Sequence, residues 1–256
     1  MDGLYILSGF LVGTVVGVTG VGGGSLMTPL LVLFFGIAPT TAVATDLLYA
    51  ALTKAGGGWI HARRGGVAWN RVGLLASGSV PAALATLGLL HYLELDTTRL
   101  AALMSTMLGA ALILTAAALL FKDRLHHWGL RHAGVFGGTR ARPVAVATGA
   151  VLGVLVTLSS VGAGALGVAA ITLLYPGTSM ARIIGTDIAH AVPLTLVAGL
   201  GHAASGAVDW KLLASLLAGS LPGITLGSAV SQALPERLLR TLLAALLVLI
   251  GGRLAS

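Results

Sequence analysis

Long apolar segments recur from residue 4 to residue 255, and none alternates in polarity every second residue as a membrane β-strand would. Six are long enough to cross roughly 30 Å of hydrocarbon as helices of about 20 residues: about 39–60, 70–92, 97–121, 183–201, 211–233 and 238–255. Two further runs, about 4–36 and 144–175, are interrupted by glycine, at Gly20-Val21-Gly22-Gly23-Gly24-Ser25 and at Ser160-Val161-Gly162-Ala163-Gly164-Ala165. Past each interruption some eleven or twelve apolar residues remain, about 18 Å of helix, too short to span. Each broken run therefore predicts a re-entrant helical hairpin, or a pair of half-helices, with its tip inside the membrane.

The pattern repeats. Sliding the chain by 141 positions places Thr45-Asp46 on Thr186-Asp187, Ala50 on Ala191, His61 on His202, Gly65 on Gly206, Val67 on Val208 and Trp69 on Trp210. It also places Gly78-Ser79 on Gly219-Ser220, Pro81 on Pro222 and Arg99 on Arg240, and an offset of 140 brings Gly13, Gly22 and Gly24 onto Gly153, Gly162 and Gly164. Chance does not align such a set, so the chain reads as an internal duplication. The predicted architecture is an all-α integral membrane protein of two repeats, 1–121 and 144–256, each a glycine-broken hairpin followed by three transmembrane helices. A hairpin adds no net crossing, so three crossings per half invert the second repeat.

Charge supports this orientation. Arg63, Arg64 and Arg71 occupy one short loop, and Lys122, Arg124, Arg131, Arg140 and Arg142 another, which places both in the cytoplasm by the positive-inside bias. The counterpart of the first loop, residues 202–211, carries only Asp209 and Lys211, as inversion requires. The loop with Glu94, Asp96 and Arg99 falls outside, and its partner holds Glu236, Arg237 and Arg240, a weaker contrast. Residues 122–143 then form a basic cytoplasmic linker, with His126, His127 and His132 solvated in it and Gly137-Gly138-Thr139 as a flexible connector.

Composition narrows the function. With 56% hydrophobic and 9% charged residues the chain lacks the polar surface of a soluble globule. The net charge of +7 gathers in loops rather than along one face, which argues against nucleic acid as a partner. The absence of cysteine removes disulfides, thiol catalysis and thiolate metal sites. The first apolar run follows Met1-Asp2-Gly3 with no basic segment before it, so it is expected to stay in the mature protein. No nucleophile–base set, phosphate-binding loop or dinucleotide fingerprint is present, so neither an enzyme nor a cofactor is predicted.

The Gly22-Gly23-Gly24 run, its echo at Gly162-Ala163-Gly164, and the doubled pattern His61, Gly65, Val67, Trp69 and His202, Gly206, Val208, Trp210 resemble the TauE/SafE family of sulfite exporters. That resemblance covers essentially the whole chain. It implies a transporter of sulfite, organosulfonates such as sulfoacetate, or related small anions, in a bacterial-type inner membrane, working by export. In the third and sixth apolar elements, where the family leads one to expect a small polar pair, this chain has Thr45-Asp46 and Thr186-Asp187.

Matched interruptions in two halves point to a transporter's binding site, because broken helix ends leave backbone donors at membrane depth. Gly22, Gly23, Gly24, Gly162 and Gly164 would expose peptide N–H groups to an oxyanion, and the helix starts at Ser25 and Ala165 would add a partial positive charge. Thr19, Ser25, Thr45, Ser159, Ser160 and Thr186 complete the candidate substrate set; close helix packing is the competing reading for the glycines. Asp46 and Asp187 lie inside apolar spans, where a charge costs at least about 2.5 to 3.5 kcal/mol, and each is a candidate proton or ion carrier. His190 shares a helix face with Asp187, so Asp46, Asp187 and His190 offer an alternative: a divalent cation such as Mn²⁺ as cargo. Lys54 is either a counter-charge or an interfacial lysine. Arg182, His61 and His202 read as interfacial or structural, and Trp69 and Trp210 as an aromatic belt. The lipid bilayer and a small anion are the expected partners, with a homo-oligomer left open.

Overall fold

The computed structural model describes residues 2–19, 24–63, 65–131, 141–230 and 236–255. Within them the chain forms eleven helices: α1 (Asp2–Thr19), α2 (Gly24–Leu33), α3 (Pro39–Arg63), α4 (Trp69–Tyr92), α5 (Thr97–Leu120), α6 (Lys122–Arg131), α7 (Ala141–Ser159), α8 (Ala165–Leu174), α9 (Met180–Ala204), α10 (Trp210–Val230) and α11 (Glu236–Ala255). Gly22 and Gly23, Arg64, and residues 132–140, including the expected connector at Gly137, lie outside the described residues, as do the side chains of Thr19 and His61. Four helices, α4, α5, α7 and α9, are long and apolar enough to cross a membrane by length and composition, and the chain is an all-helical integral membrane protein.

Local chemistry sets the helix ends. Gly65 and Gly206 hold φ of +67° and +73° just past α3 and α9, and their N–H groups bond to Ala62 O and Ala203 O, the glycine C-cap that ends a helix. Two residues on, Val67 and Val208 are buried; two further, Trp69 and Trp210 open α4 and α10 with exposed rings. The doubled Gly-x-Val-x-Trp pattern is thus a helix–turn–helix connector. Asp96 caps α5 by accepting from Arg99 N at 2.8 Å, and Asp209 accepts from Leu212 N at 2.9 Å at the start of α10.

The halves interlock reciprocally. α1 packs on α10, and α7, its equivalent, packs on α4. At Gly9 a β-carbon would collide with the backbone of Leu216, and at Gly13 with that of Ser220; at their equivalents Gly149 and Gly153 it would meet Leu75 and Ser79, the equivalents of Leu216 and Ser220. Gly78 against Val146 and Gly219 against Ile6 repeat the arrangement from the other side. Small residues let these backbones touch, which is how helices associate where lipid removes the hydrophobic driving force.

Contacts also fix directions. Ala68, Ser79 and Leu87 lie against Thr186, His190 and Gly201 in turn, so α4 and α9 run parallel. Leu75 and Ser79 meet Gly149 and Gly153, so α7 runs parallel to α4. α3 and α9 are antiparallel: Thr45 at the start of α3 bonds to Asp209 beyond the end of α9, while Thr186 near the start of α9 bonds to Ala68 beyond the end of α3. Since α7 and α9 share a direction, and His202 near the end of α9 bonds to Thr157 near the end of α7, the intervening chain doubles back through α8.

The linker departs from expectation. Residues Lys122–Arg131 form α6, which packs on α8 with Gly129 against Leu173 and Pro176, and α7 begins at Ala141 rather than 144. An amphipathic pattern of ten residues was short enough to be read as loop, and its packing partner lies too far along the chain to be anticipated.

Candidate functional site

The second break unwinds between Ser159 and Ala165. Ser160 sits at φ +58°, a left-handed conformation unusual for a residue with a side chain, and Gly162 at φ +118°, which only glycine adopts readily. The Gly162 carbonyl accepts from Gly164 N at 2.8 Å and Gly167 N at 3.0 Å, while Ser159 Oγ donates to Leu155 O and accepts from Val161 N. Gly164 is the N-cap of α8, and no side chain caps that helix.

This tip reaches the other half. Ser160 Oγ donates to Asp46 Oδ2 at 3.0 Å, and Thr28 of α2 donates a short hydrogen bond to the same oxygen. Asp46 is fully buried, and its other oxygen, Oδ1, has no protein partner. One carboxylate therefore joins α2 to the break between α7 and α8.

Asp187 occupies the equivalent place beside α8. Its Oδ1 rests against Gly167, where any β-carbon would strike it, and likewise has no hydrogen-bond partner. Leu48 of α3 touches Gly199 of α9, and Asp187 lies twelve residues before Gly199, about 18 Å of helix. Because α3 and α9 are antiparallel, the two carboxylates lie at different depths, well apart. The Lys54 ammonium donates to the Ala163 carbonyl, in the segment between Ser160, which bonds to Asp46, and Gly167, which lies against Asp187. Ser160, Ala163 and Gly167 thus lead along one segment from Asp46 past Lys54 to Asp187.

Two further placements differ from the sequence reading. Asp46, Asp187 and His190 do not form a ligand set; among the described residues no three His, Asp or Glu side chains could together hold a metal. His190 Nε2 is instead bonded to Ser79 Oγ at 2.8 Å. Thr45 and Thr186 are buried with their hydroxyls accepting from Asp209 N (3.1 Å) and Ala68 N (3.0 Å), so both brace the opposite half. His202 is buried, with Nε2 bonded to Thr157 O at 3.0 Å, a structural contact.

Ser25 is buried at the second position of α2, and Asp46, Asp187 and Ser160 are sealed from the surface, whereas Lys54 and Ala163 are half-exposed. A separate cavity of about 420 Å³ lies among α1, α2 and α11, lined wholly by apolar residues such as Leu11, Leu26, Phe34 and Leu243, and none of the site residues borders it. The sequence left Thr28 and Gly167 unmarked. A lone hydroxyl in an apolar half-helix was the available signal for the first; for the second, nothing short of the packing of Asp187 distinguished one glycine among several.

In this helical membrane bundle each of the short helices α2 and α8 meets a buried carboxylate, the kind of site a solute carrier needs. The sequence matches the sulfite exporter TauE/SafE family over residues 5–254, and the chain belongs to that family. It is 39% identical over 225 residues to the probable membrane transporter protein YjnA of Bacillus subtilis (strain 168), with 86% of each chain covered. It is 30% identical over 230 residues to the probable membrane transporter protein YdhB of the same organism, again with 86% of each covered. No solved structure matches. The chain is accordingly a membrane transporter and not an enzyme.

Proposed function

We propose that this protein is a secondary transporter of small sulfur oxyanions or organosulfonates, coupled to protons and working by alternating access between two inverted repeats. The observation that carries this reading is the Lys54 ammonium, which touches the glycine-broken segment at Ala163, between the residues of that segment that meet buried Asp46 and buried Asp187. An oxyanion entering beside Lys54 takes a fixed cation, the Ser160 hydroxyl and the tip's backbone as partners. It also meets Asp46 or Asp187, and two unpaired negative charges at short range in a dry site repel strongly, so a carboxylate there must take a proton when the anion loads. That requirement links anion and proton movement.

Inversion is supported by the antiparallel run of α3 and α9, equivalent helices whose starts each bond beyond the other's end. The parallel run of α7 and α9, with α8 returning between them, supports a re-entrant hairpin. Sulfur oxyanions as cargo, export as direction and the inner membrane as location rest on family membership.

The test is flux into liposomes holding the purified protein, with sulfite, sulfoacetate, sulfate and Mn²⁺ offered at two pH values. Sulfite or sulfoacetate flux that depends on pH is expected, and Asp46→Asn and Asp187→Asn are expected to abolish that dependence. Unchanged pH dependence in both variants ends the proton-coupling reading; flux of Mn²⁺ alone ends the anion reading.

A further inference from the structure

We infer that Arg71 and Arg182 form a docking site for a tetrahedral oxyanion at the end of the bundle where α3 ends and α9 begins. The inference rests on the anion-transport reading for its purpose, though not for its chemistry. Arg71 is half-buried near the start of α4; its guanidinium carbon lies 4.1 Å from the centre of the Tyr175 ring, and Nη1 donates to Thr178 Oγ1 at 2.6 Å. Stacking and one hydrogen bond fix the plane of the group. Arg182, exposed in the first turn of α9, follows Thr178, the hydrogen-bond partner of Arg71, by four residues.

Neither arginine has a carboxylate partner among the described residues, and the first turn of α9 holds no acidic residue. A cation at a helix N-terminus opposes the helix dipole, and two guanidinium groups at one end of the bundle repel each other, so two unfavourable terms fall at one place. An oxyanion held by the two forks reverses both.

The fold does not demand this arrangement. At the equivalent end of the other half, Leu212 replaces Arg71, Thr41 replaces Arg182, Phe34 replaces Tyr175 and Ile37 replaces Thr178. The duplicated scaffold stands without the cations, which are confined to the end where the basic helix α6 packs on α8. Arg182 precedes Asp187 by five residues, and its carbonyl accepts from Thr186 Oγ1 at 2.6 Å, so the site stands before Asp187 and Lys54 on the way inward. A dissolved sulfonate or sulfite and the phosphate of a lipid headgroup present the same oxygens to this pair.

The test uses the full-length protein with Arg71→Gln, Arg182→Gln, the double variant, Arg71→Lys and Lys54→Gln, each checked for a wild-type melting profile. Inorganic sulfate binding in detergent is measured by calorimetry, and thermal stability in phosphatidylcholine vesicles with and without phosphatidylglycerol. If the occupant is a dissolved anion, sulfate affinity falls about tenfold in each single Gln variant and is lost in the double, Arg71→Lys falls between, and KM for transport rises with kcat retained. If it is a headgroup, the double variant loses stabilisation by phosphatidylglycerol while sulfate affinity is weak throughout. A double variant that matches the wild type in both measurements overturns the inference. Lys54→Gln separates the two readings, since lost flux with retained sulfate binding faults neither arginine.

Discussion

Ser160 and Asp46 meet across the two halves, the serine hydroxyl donating to Asp46 Oδ2 at 3.0 Å from a residue held at φ +58°. Backbone and hydroxyl effects separate by substitution. Ser160→Gly keeps the left-handed turn and removes only the donor, so flux is expected to fall about tenfold with the melting temperature little changed. Ser160→Ala removes the same donor while keeping the β-carbon that serine already carries at that φ, so its flux is expected to fall to the same extent. Equal flux in Ser160→Gly and wild type would show that the hydroxyl has no part in transport.

Lys54 is expected to be indispensable. Lys54→Gln removes the cation that acts on Asp46 and Asp187, and flux of any anionic substrate should fall at least a hundredfold while the protein still purifies folded. Measuring counterflow in liposomes, in which no net charge need move, tells loss of binding from loss of coupling.

The reciprocal glycine contacts predict matched injuries. Gly13→Leu and Gly153→Leu drive a side chain into the backbone of Ser220 and Ser79 respectively, and each should cost about 1 to 3 kcal/mol or prevent assembly. Gly88→Ala, with nothing within 4 Å of its β-position inside α4, should be neutral or stabilising by about 0.5 to 1 kcal/mol. Thermal unfolding in one detergent compares all three.

Thr45 and Thr186 give a second matched pair. Thr45→Val strands the N–H of Asp209, and Thr186→Val that of Ala68, each at a cost of about 1 to 3 kcal/mol. If these bonds brace closed ends of the bundle, amide exchange at residues 67–69 and 208–210 should quicken selectively in the corresponding variant. No change in exchange at either connector would remove the bracing role.

The helix boundaries, the sequence offset and the buried aspartates were legible because each leaves a mark in one dimension: length, repetition, or a charge amid apolar neighbours. Pairing was not. The offset equates Gly13 with Gly153, but nothing in it says that each lies on the other half's serine. Thr45 and Thr186 looked like site hydroxyls because they adjoin aspartates, yet on a helix adjacent residues point about 100° apart, and these two turn to the opposite connector. The Asp-x-x-His face was real as geometry and wrong as a metal site, since Ser79 on α4 takes the imidazole.

Lys54 has no twin: its equivalent position holds Thr195, whose hydroxyl bonds within its own helix to Ala191 O. If the two halves exchange shapes, as the alternating-access proposal holds, they do not exchange their electrostatic contents. The inward-open and outward-open forms of such a carrier then differ in energy even with identical solutions on both sides, so the resting population is skewed toward one of them before any gradient is applied.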